Sequence, residues 1–168
     1  MSIAIGDTLP DATLLRMSDA GPEQLSLTDL TRGRSVVMVG LPGPFTDTCT
    51  DAHIPSLIRA RAELDQEGVD EVICFAVIDP FVMKAWAETT GASEGGITML
   101  ADSAGELTKA LGLDFDAPVV GFYGRTVRHS MLVEDRVVKI LRFEESHGTC
   151  ELTAGDAMVD AISELRAS

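Results

Sequence analysis

Residues 35–44 read SVVMVGLPGP, and this stretch is the key to the fold. The first part is a short apolar run rich in β-branched residues, which is typical of a strand buried inside a sheet. The prolines and glycine that follow predict a tight loop. Beyond the loop, apolar residues recur at helical spacing as far as Leu64, and Gly68 ends the pattern. The stretch therefore predicts a buried strand, a loop and a helix in succession.

The rest of the chain continues this alternation. The further predicted elements are a strand at 72–78, a helix at 81–89, a strand at 97–101, a short helix at 105–111, strands at 130–133 and 137–141 around a turn at 134–136, and a helix at 155–165. Strands that alternate with helices require a parallel sheet, and the closing hairpin adds antiparallel strands. We expect an α/β protein with a thioredoxin-like fold, in which helices flank a central mixed β-sheet. Residues 1–168 are expected to form one domain, with additional strands before residue 35 and a long connection over 111–127.

The charge balance excludes some classes of partner. Thirteen Lys and Arg stand against 27 Asp and Glu, which gives a net charge of −14. Neither nucleic acid nor an anionic membrane surface is an expected partner, because both require cationic side chains. No apolar run approaches the roughly 20 residues of a membrane span. Residues 1–7 lack the pattern of a secretory signal, so we expect a cytoplasmic protein.

The metal-binding and disulfide-forming residue types are few. The cysteines are Cys49, Cys74 and Cys150, and the histidines are His53, His129 and His147. An odd number of cysteines without an export signal does not indicate a structural disulfide framework. The sequence has no C-x-x-C and no H-x-x-x-H spacing. We therefore expect neither a metal site nor another cofactor.

The chemistry is concentrated in residues 42–51, PGPFTDTCTD, between the first predicted strand and its helix. Thr48 with Asp51 fits a capping box, so the helix should begin at or just before Cys49; Thr153 with Asp156 fits a similar start for the last helix. A cysteine in a first helical turn lies beside free backbone N–H groups and the positive end of the helix dipole, and both favour the thiolate. The Thr46 hydroxyl can donate to the sulfur or accept from a substrate.

These residues resemble the active site of the peroxiredoxin family. Pro42, Thr46 and Cys49 match its signature Pro-x-x-x-Thr-x-x-Cys. Residues 40–46 (GLPGPFT) and 79–86 (DPFVMKAW) are similar to segments of the fifth subfamily, called type II in plants. The departures from that pattern are Pro44 for Ala, Asp47 for Pro and Ile78 for Asn. The resemblance extends over nearly the whole chain.

The resemblance implies a thiol-dependent peroxidase that reduces hydrogen peroxide and organic hydroperoxides through a Cys49 sulfenic acid. It implies four catalytic residues: Cys49, Thr46, Pro42 and Arg128. A guanidinium at Arg128 would stabilise both the thiolate and the charge that develops on the peroxide oxygens. The family also implies regeneration by thioredoxin or by glutathione and glutaredoxin. A homodimer is implied as well, through a face that includes Phe45 and Phe81.

The resolving thiol has two candidate positions in this family, which correspond to Cys150 and Cys74. We favour Cys150, because Cys74 lies inside an apolar strand whereas Cys150 lies in a polar loop that can move. A one-cysteine mechanism with an external thiol remains an alternative.

Two other functions compete with peroxide reduction. One is a cysteine hydrolase in which a histidine activates Cys49, although His53 is interpreted as a surface or loop-packing residue. The other is a redox sensor without turnover.

Overall fold

The computed structural model describes residues 1–146 and 148–168. Nine strands and five α-helices form among them. The strands are β1 (Thr13–Ser18), β2 (Gly21–Ser26), β3 (Ser35–Gly40), β4 (Glu71–Ala76), β5 (Ile97–Ala101), β6 (Asp114–Ala117), β7 (Phe122–Thr126), β8 (His129–Glu134) and β9 (Val137–Phe143). The α-helices are α1 (Leu27–Thr31), α2 (Ile54–Gln66), α3 (Pro80–Thr90), α4 (Glu106–Leu111) and α5 (Gly155–Ala167).

Seven of the strands form one mixed sheet in the order β2-β1-β5-β4-β3-β8-β9. Its centre is parallel: β3 pairs with β4, and β4 pairs with β5. The outer strands run antiparallel, with β8 beside β3, β9 beside β8, and β1 beside both β5 and β2. The predicted fold class is confirmed, since a central mixed sheet carries helices on both faces.

Alternation along β3 shows how the core is divided. Val37 and Val39 belong to a cluster with residues of α2, α3 and α5, whereas Val36 and Met38 belong to a cluster with residues of α1 and α4. Successive side chains of a strand point to opposite faces, so one apolar strand supplies both clusters. This explains why residues 35–41 read as a continuous apolar run rather than as an alternating one.

The strands and helices predicted from the sequence are confirmed with shifts of a few residues at their ends. The connection over 111–127 holds a feature that the sequence did not predict, a two-stranded sheet of β6 and β7 joined by a short 3-10 turn at Pro118–Val120. The predicted turn at 134–136 is confirmed, and Asp135 and Arg136 both have positive φ, as a tight hairpin requires. No helix formed by the described residues combines the length and apolar character needed to cross a bilayer.

The predicted cap of the last helix is wrong. Ala154, not Thr153, occupies the N-cap of α5. The backbone N–H of Gly155 instead donates to the Ser56 hydroxyl on α2 at 3.0 Å. A Cβ at Gly155 would lie 2.3 Å from the Ser56 carbonyl oxygen, so close packing of α5 on α2 leaves room only for glycine there. The cap therefore comes from a neighbouring helix, which local sequence cannot show.

Candidate active site

Cys49 lies in the first helical turn after β3, as predicted. The N–H of Thr50 donates to the Thr46 carbonyl at 2.9 Å, so the helix starts just after Thr46. The turn Cys49–His53 is π-helical, and α2 continues from it. The predicted capping box of Thr48 and Asp51 is wrong: the Thr48 backbone is itself helical, and its hydroxyl donates to the Gly148 carbonyl at 2.9 Å. That bond ties the helix start to the loop between β9 and α5.

Arg128 contacts the sulfur of Cys49. It precedes β8, which is the neighbour of β3 in the sheet, and its Nη2 lies 3.1 Å from Cys49 Sγ. Both residues are buried: Cys49 is fully inaccessible and Arg128 is 3% exposed. A guanidinium at this distance in a site shielded from water favours a negative charge on sulfur. The structure thus brings together two residues that are 79 positions apart.

His53 is a second partner of Arg128. It is fully buried, so its interpretation as a surface residue is wrong, and it packs inside the site. Arg128 Nη1 donates to His53 Nδ1 at 2.9 Å, and Nε2–H of His53 donates to the Thr153 carbonyl at 3.0 Å. These partners fix the neutral tautomer, since a guanidinium only donates and a carbonyl only accepts. Burial, aided by the nearby guanidinium, lowers the pKa of His53 to about 3.

His53 therefore orients the guanidinium that contacts Cys49. The sequence carries a signal for this role, because Cys49 and His53 are four residues apart, a spacing that places side chains on the same side of a helix.

A cleft of about 430 Å³ opens above these residues. Its walls include Pro42, Thr46 and Arg128 from the predicted site, together with Val120 and Phe122 from the β6–β7 sheet. The Thr46 hydroxyl donates to the Gly43 carbonyl at 2.7 Å, which leaves its oxygen lone pairs as acceptors. All four predicted catalytic residues thus lie together at one site. Asp47 is exposed, so its carboxylate has access to solvent.

The loop before Cys49 is held in an unusual backbone conformation. Phe45 has φ of 62°, in the left-handed region that non-glycine residues seldom adopt, and the residue is 51% exposed. On the inner side, Trp86 of α3 is fully buried and its Nε1–H donates to the Thr50 hydroxyl at 3.0 Å. Trp86 is the one tryptophan of the chain, so its fluorescence can report on the turn that carries Cys49.

The other two cysteines occupy different surroundings. Cys74 is fully buried in β4, and burial raises its pKa well above the ordinary value. Cys150 is partly exposed in the loop before α5, where burial in the first place and the Glu144 carboxylate in addition raise its pKa to about 11, against an opposing effect of Arg128. All three cysteines are free thiols. His147, which the sequence places in the same loop, lies outside the described residues.

Comparisons with known proteins agree with this geometry. The Redoxin family matches residues 4–158. Peroxiredoxin-2E-2 of Oryza sativa subsp. japonica, a chloroplastic protein, is 39% identical over 96% of this chain and 73% of its own length. Peroxiredoxin-2B of Arabidopsis thaliana is 38% identical over 95% of this chain and 98% of its own.

Solved structures give the same result. The reduced Prx3 of Vibrio vulnificus in complex with H2O2 superposes with a TM-score of 0.87 at 38% identity, covering 95% of this chain and 99% of that one. Peroxiredoxin 5 of Alvinella pompejana superposes with a TM-score of 0.83 at 30% identity, covering 96% and 99%.

The chain belongs to the peroxiredoxin family, on the branch of the plant type II proteins. It is an oxidoreductase, a thiol-dependent peroxidase.

Proposed function

We propose that Cys49 is the peroxidatic residue and reduces hydroperoxides bound in the cleft. The observation that carries this proposal is the 3.1 Å contact between Cys49 Sγ and Nη2 of Arg128, a residue that also lines the cleft. The thiolate attacks the terminal oxygen of R–O–OH, the O–O bond breaks, and Cys49 becomes a sulfenic acid while the leaving alkoxide takes a proton to become R–OH. Arg128 stabilises the negative charge as it moves from sulfur to the leaving oxygen.

Thr46 and Pro42 complete the catalytic set. Because the Thr46 hydroxyl donates to Gly43, its oxygen faces a substrate as an acceptor and can receive the O–H of the hydroperoxide. Pro42 is buried and forms part of the wall of the cleft, where it limits the access of water to the sulfur.

The substrates proposed are hydrogen peroxide and organic hydroperoxides. Val120 and Phe122 give one wall of the cleft an apolar surface, and a volume of about 430 Å³ leaves space for an organic substituent. For hydrogen peroxide the support comes from the Vibrio vulnificus relative, which was solved in complex with it. Comparing the rate constants for hydrogen peroxide and cumene hydroperoxide tests both halves of the proposal.

We propose Cys150 as the resolving thiol. Its loop is bonded to the helix start at two points, since Gly148 accepts from Thr48 and Thr153 accepts from His53. Attack of the Cys150 thiol on the Cys49 sulfenic acid would form a disulfide and release water, after some movement of the loop, because the two Cα atoms must come within about 7 Å. Cys74 lies in a central strand that pairs on both sides, so it could move only at the expense of the core.

Peptide mapping after one equivalent of peroxide tests this assignment. A Cys49–Cys150 linkage within one chain is the expected product. A Cys49–Cys74 linkage, or a persistent Cys49 sulfenic acid with Cys150 still free, would overturn it. The external reductant proposed is thioredoxin or glutathione with glutaredoxin, and steady-state turnover with each of them supplied separately distinguishes the two.

The hydrolase alternative finds no support among the described histidines. Both ring nitrogens of His53 are engaged, one by Arg128 and one by the Thr153 carbonyl, and Nδ1 of His129 bonds the Val127 carbonyl at 2.8 Å. Burial, and in addition the Arg128 guanidinium, lowers the pKa of His53 and would oppose its protonation during acyl transfer. The cleft lined by Arg128, the residue that contacts the sulfur, has the size of a small-molecule site, which favours turnover of a bound substrate over sensing without turnover.

We further propose a homodimer through the active-site edge of the sheet. Phe45 follows β3 and Phe81 opens α3 after β4, so both lie at the carboxyl ends of parallel strands, and both are more than half exposed. Val120 and Tyr123, in and beside the β6–β7 turn, are also more than 60% exposed. Apolar groups exposed together on a monomer mark an interface. Light scattering that gives the mass of a single chain at all concentrations, oxidised and reduced, would contradict this proposal.

The remaining proposals concern the compartment and the folding unit. Free thiols suit the reducing cytoplasm, although relatives include chloroplastic and mitochondrial proteins. Cell fractionation tests the location.

Residues 1–168 are proposed to fold as one domain, which a single calorimetric unfolding transition would support.

The experiment that tests the catalytic proposal is replacement of the sulfur. Cys49→Ser should abolish peroxide consumption with either reductant, while circular dichroism shows an unchanged fold. Undiminished turnover in that variant would contradict the assignment of Cys49 as the peroxidatic residue.

A further inference from the structure

Arg125 is a second arginine beside the cleft, and its contacts differ from those of Arg128. It belongs to β7 and is half-buried. Its Nη1 donates to the Pro42 carbonyl at 2.9 Å, across 83 positions of sequence. Arg128 contacts the reacting sulfur, whereas Arg125 contacts the backbone of the loop that encloses it.

The guanidinium of Arg125 is held in place from two directions. Its Cζ lies 4.9 Å from the centroid of the Phe122 ring, within the range of a cation–π contact, and Phe115 packs edge-on against Phe122. On the other side, a Cβ at Gly43 would lie only 2.6 Å from Arg125 Nη1. The guanidinium of Arg125 thus packs directly against the backbone of Gly43, and a larger residue there would displace it.

The Arg125 bond lies next to the contact that orients Thr46. Arg125 bonds the carbonyl of Pro42, and the carbonyl of the next residue, Gly43, accepts the Thr46 hydroxyl. Movement of the Pro42 carbonyl would turn the following peptide and with it the acceptor of Thr46. Reactivity is sensitive to such movement, because displacing a reacting group by about 1 Å can cost two orders of magnitude in rate.

We propose that Arg125 is a positioning residue that fixes the Pro42–Thr46 loop, so that the Thr46 hydroxyl points at the substrate. This inference rests on the proposed function of Cys49. It assigns to the β6–β7 sheet, which the sequence did not predict, the task of holding the catalytic loop in its reactive form.

The test is the rate of Cys49 oxidation by hydrogen peroxide, followed by stopped-flow fluorescence of Trp86. Arg125→Met should slow this step roughly tenfold. Gly43→Ala should do the same without removing the arginine, because the new methyl group displaces the guanidinium and the φ of Gly43 is not in the positive range. Arg125→Lys keeps a charged donor and should stay within about threefold of the wild-type rate.

Arg136→Met is the matched control. Arg136 also donates to a backbone carbonyl, that of Leu9, but at the far end of β8 from Arg128. It should leave the oxidation rate unchanged. A second check is a double-mutant cycle: in a Thr46→Val background, Arg125→Met should cost less than about twofold, because the group that it orients is gone.

The outcomes separate this inference from the proposed function. If Cys49→Ser is inactive but Arg125→Met and Gly43→Ala oxidise as fast as wild type, Arg125 has no positioning role and Cys49 keeps its assignment. A full tenfold effect of Arg125→Met in the Thr46→Val background, or a Lys variant as slow as the Met variant, would likewise contradict the inference. If Cys49→Ser retains turnover, the proposed function itself fails.

Discussion

Cys49 and Cys74 are both completely buried, and both belong to the cluster beneath α2, α3 and α5. Cys74 is surrounded by the apolar residues of a central strand, and burial raises its pKa. Cys49 has the Arg128 guanidinium 3.1 Å from its sulfur, with His53 behind that guanidinium. We therefore expect burial in an apolar strand to leave the Cys74 thiol inert, and burial beside a fixed cation to make Cys49 the thiol that reacts.

Removal of the cation should have the largest effect on the difference between Cys49 and Cys74. Arg128→Met should lower the second-order rate constant for peroxide by roughly 10² or more, because a preorganised charge at the reacting atoms is lost. Stopped-flow oxidation of Cys49 measures this constant. The Arg136→Met variant, which loses an arginine–carbonyl bond far from the cleft, serves as the control. A rate equal to wild type in Arg128→Met would mean that the cation does not distinguish Cys49 from Cys74.

Thr46→Val removes the acceptor at the cleft and should also slow oxidation by roughly 10². Thr89→Val is a matched control, since Thr89 likewise donates to a backbone carbonyl, that of Ala85, on the exposed side of α3. Both variants exchange a hydroxyl for a methyl group at constant shape. If the two variants oxidise at the same rate, the hydroxyl of Thr46 does not act on the substrate.

Burial acts on histidines in the opposite direction, and this predicts a dependence of stability on pH. The pKa values of His53 and His129 are lowered in the fold to about 3 and about 4, mainly by burial. Below about pH 6.5 these histidines are protonated in the unfolded chain but stay neutral in the folded chain. The free energy of unfolding therefore decreases as pH falls, until pH reaches the pKa values of the folded state. The expected loss at pH 5 is about 2 kcal/mol per histidine.

Urea unfolding between pH 7.5 and 5 measures this slope. His129→Phe should reduce the slope, because it removes one of the two buried imidazoles whose pKa values are lowered in the fold. An unchanged slope in that variant would show that His129 is not the source of the dependence.

The smallest effect is expected at Cys74. Cys74→Ala removes a buried sulfur from the core and should cost about 1–2 kcal/mol of stability. The rate of Cys49 oxidation should stay within about twofold of wild type. Thermal unfolding and stopped-flow oxidation measure the two quantities on one preparation. A large loss of rate with no loss of stability would mean that Cys74 takes part in the peroxide step.

The sequence predicted the central sheet because its strands are coded locally, by short apolar runs such as residues 35–41. The proposed catalytic residues Pro42, Thr46 and Cys49 could be predicted because they are neighbours in one motif, whereas Arg128 was identified only through the family resemblance. The residues that were missed act across the chain: His53 through Arg128, Arg125 through the Pro42 carbonyl, and Ser56 through the start of α5. Such contacts depend on which strands and helices pack together, and the pattern of residues within one element does not show which elements are its neighbours.

The most direct test of the assignment of Cys49 is to identify which thiol reacts first with peroxide. The reduced protein is mixed with less than one equivalent of hydrogen peroxide, quenched within milliseconds in a sulfenic acid trap such as dimedone, and mapped by peptide mass spectrometry. The trapped adduct is expected on Cys49, with Cys74 and Cys150 still reduced. An adduct that appears first on Cys74 or Cys150 would contradict the claim that the Arg128 contact singles out Cys49.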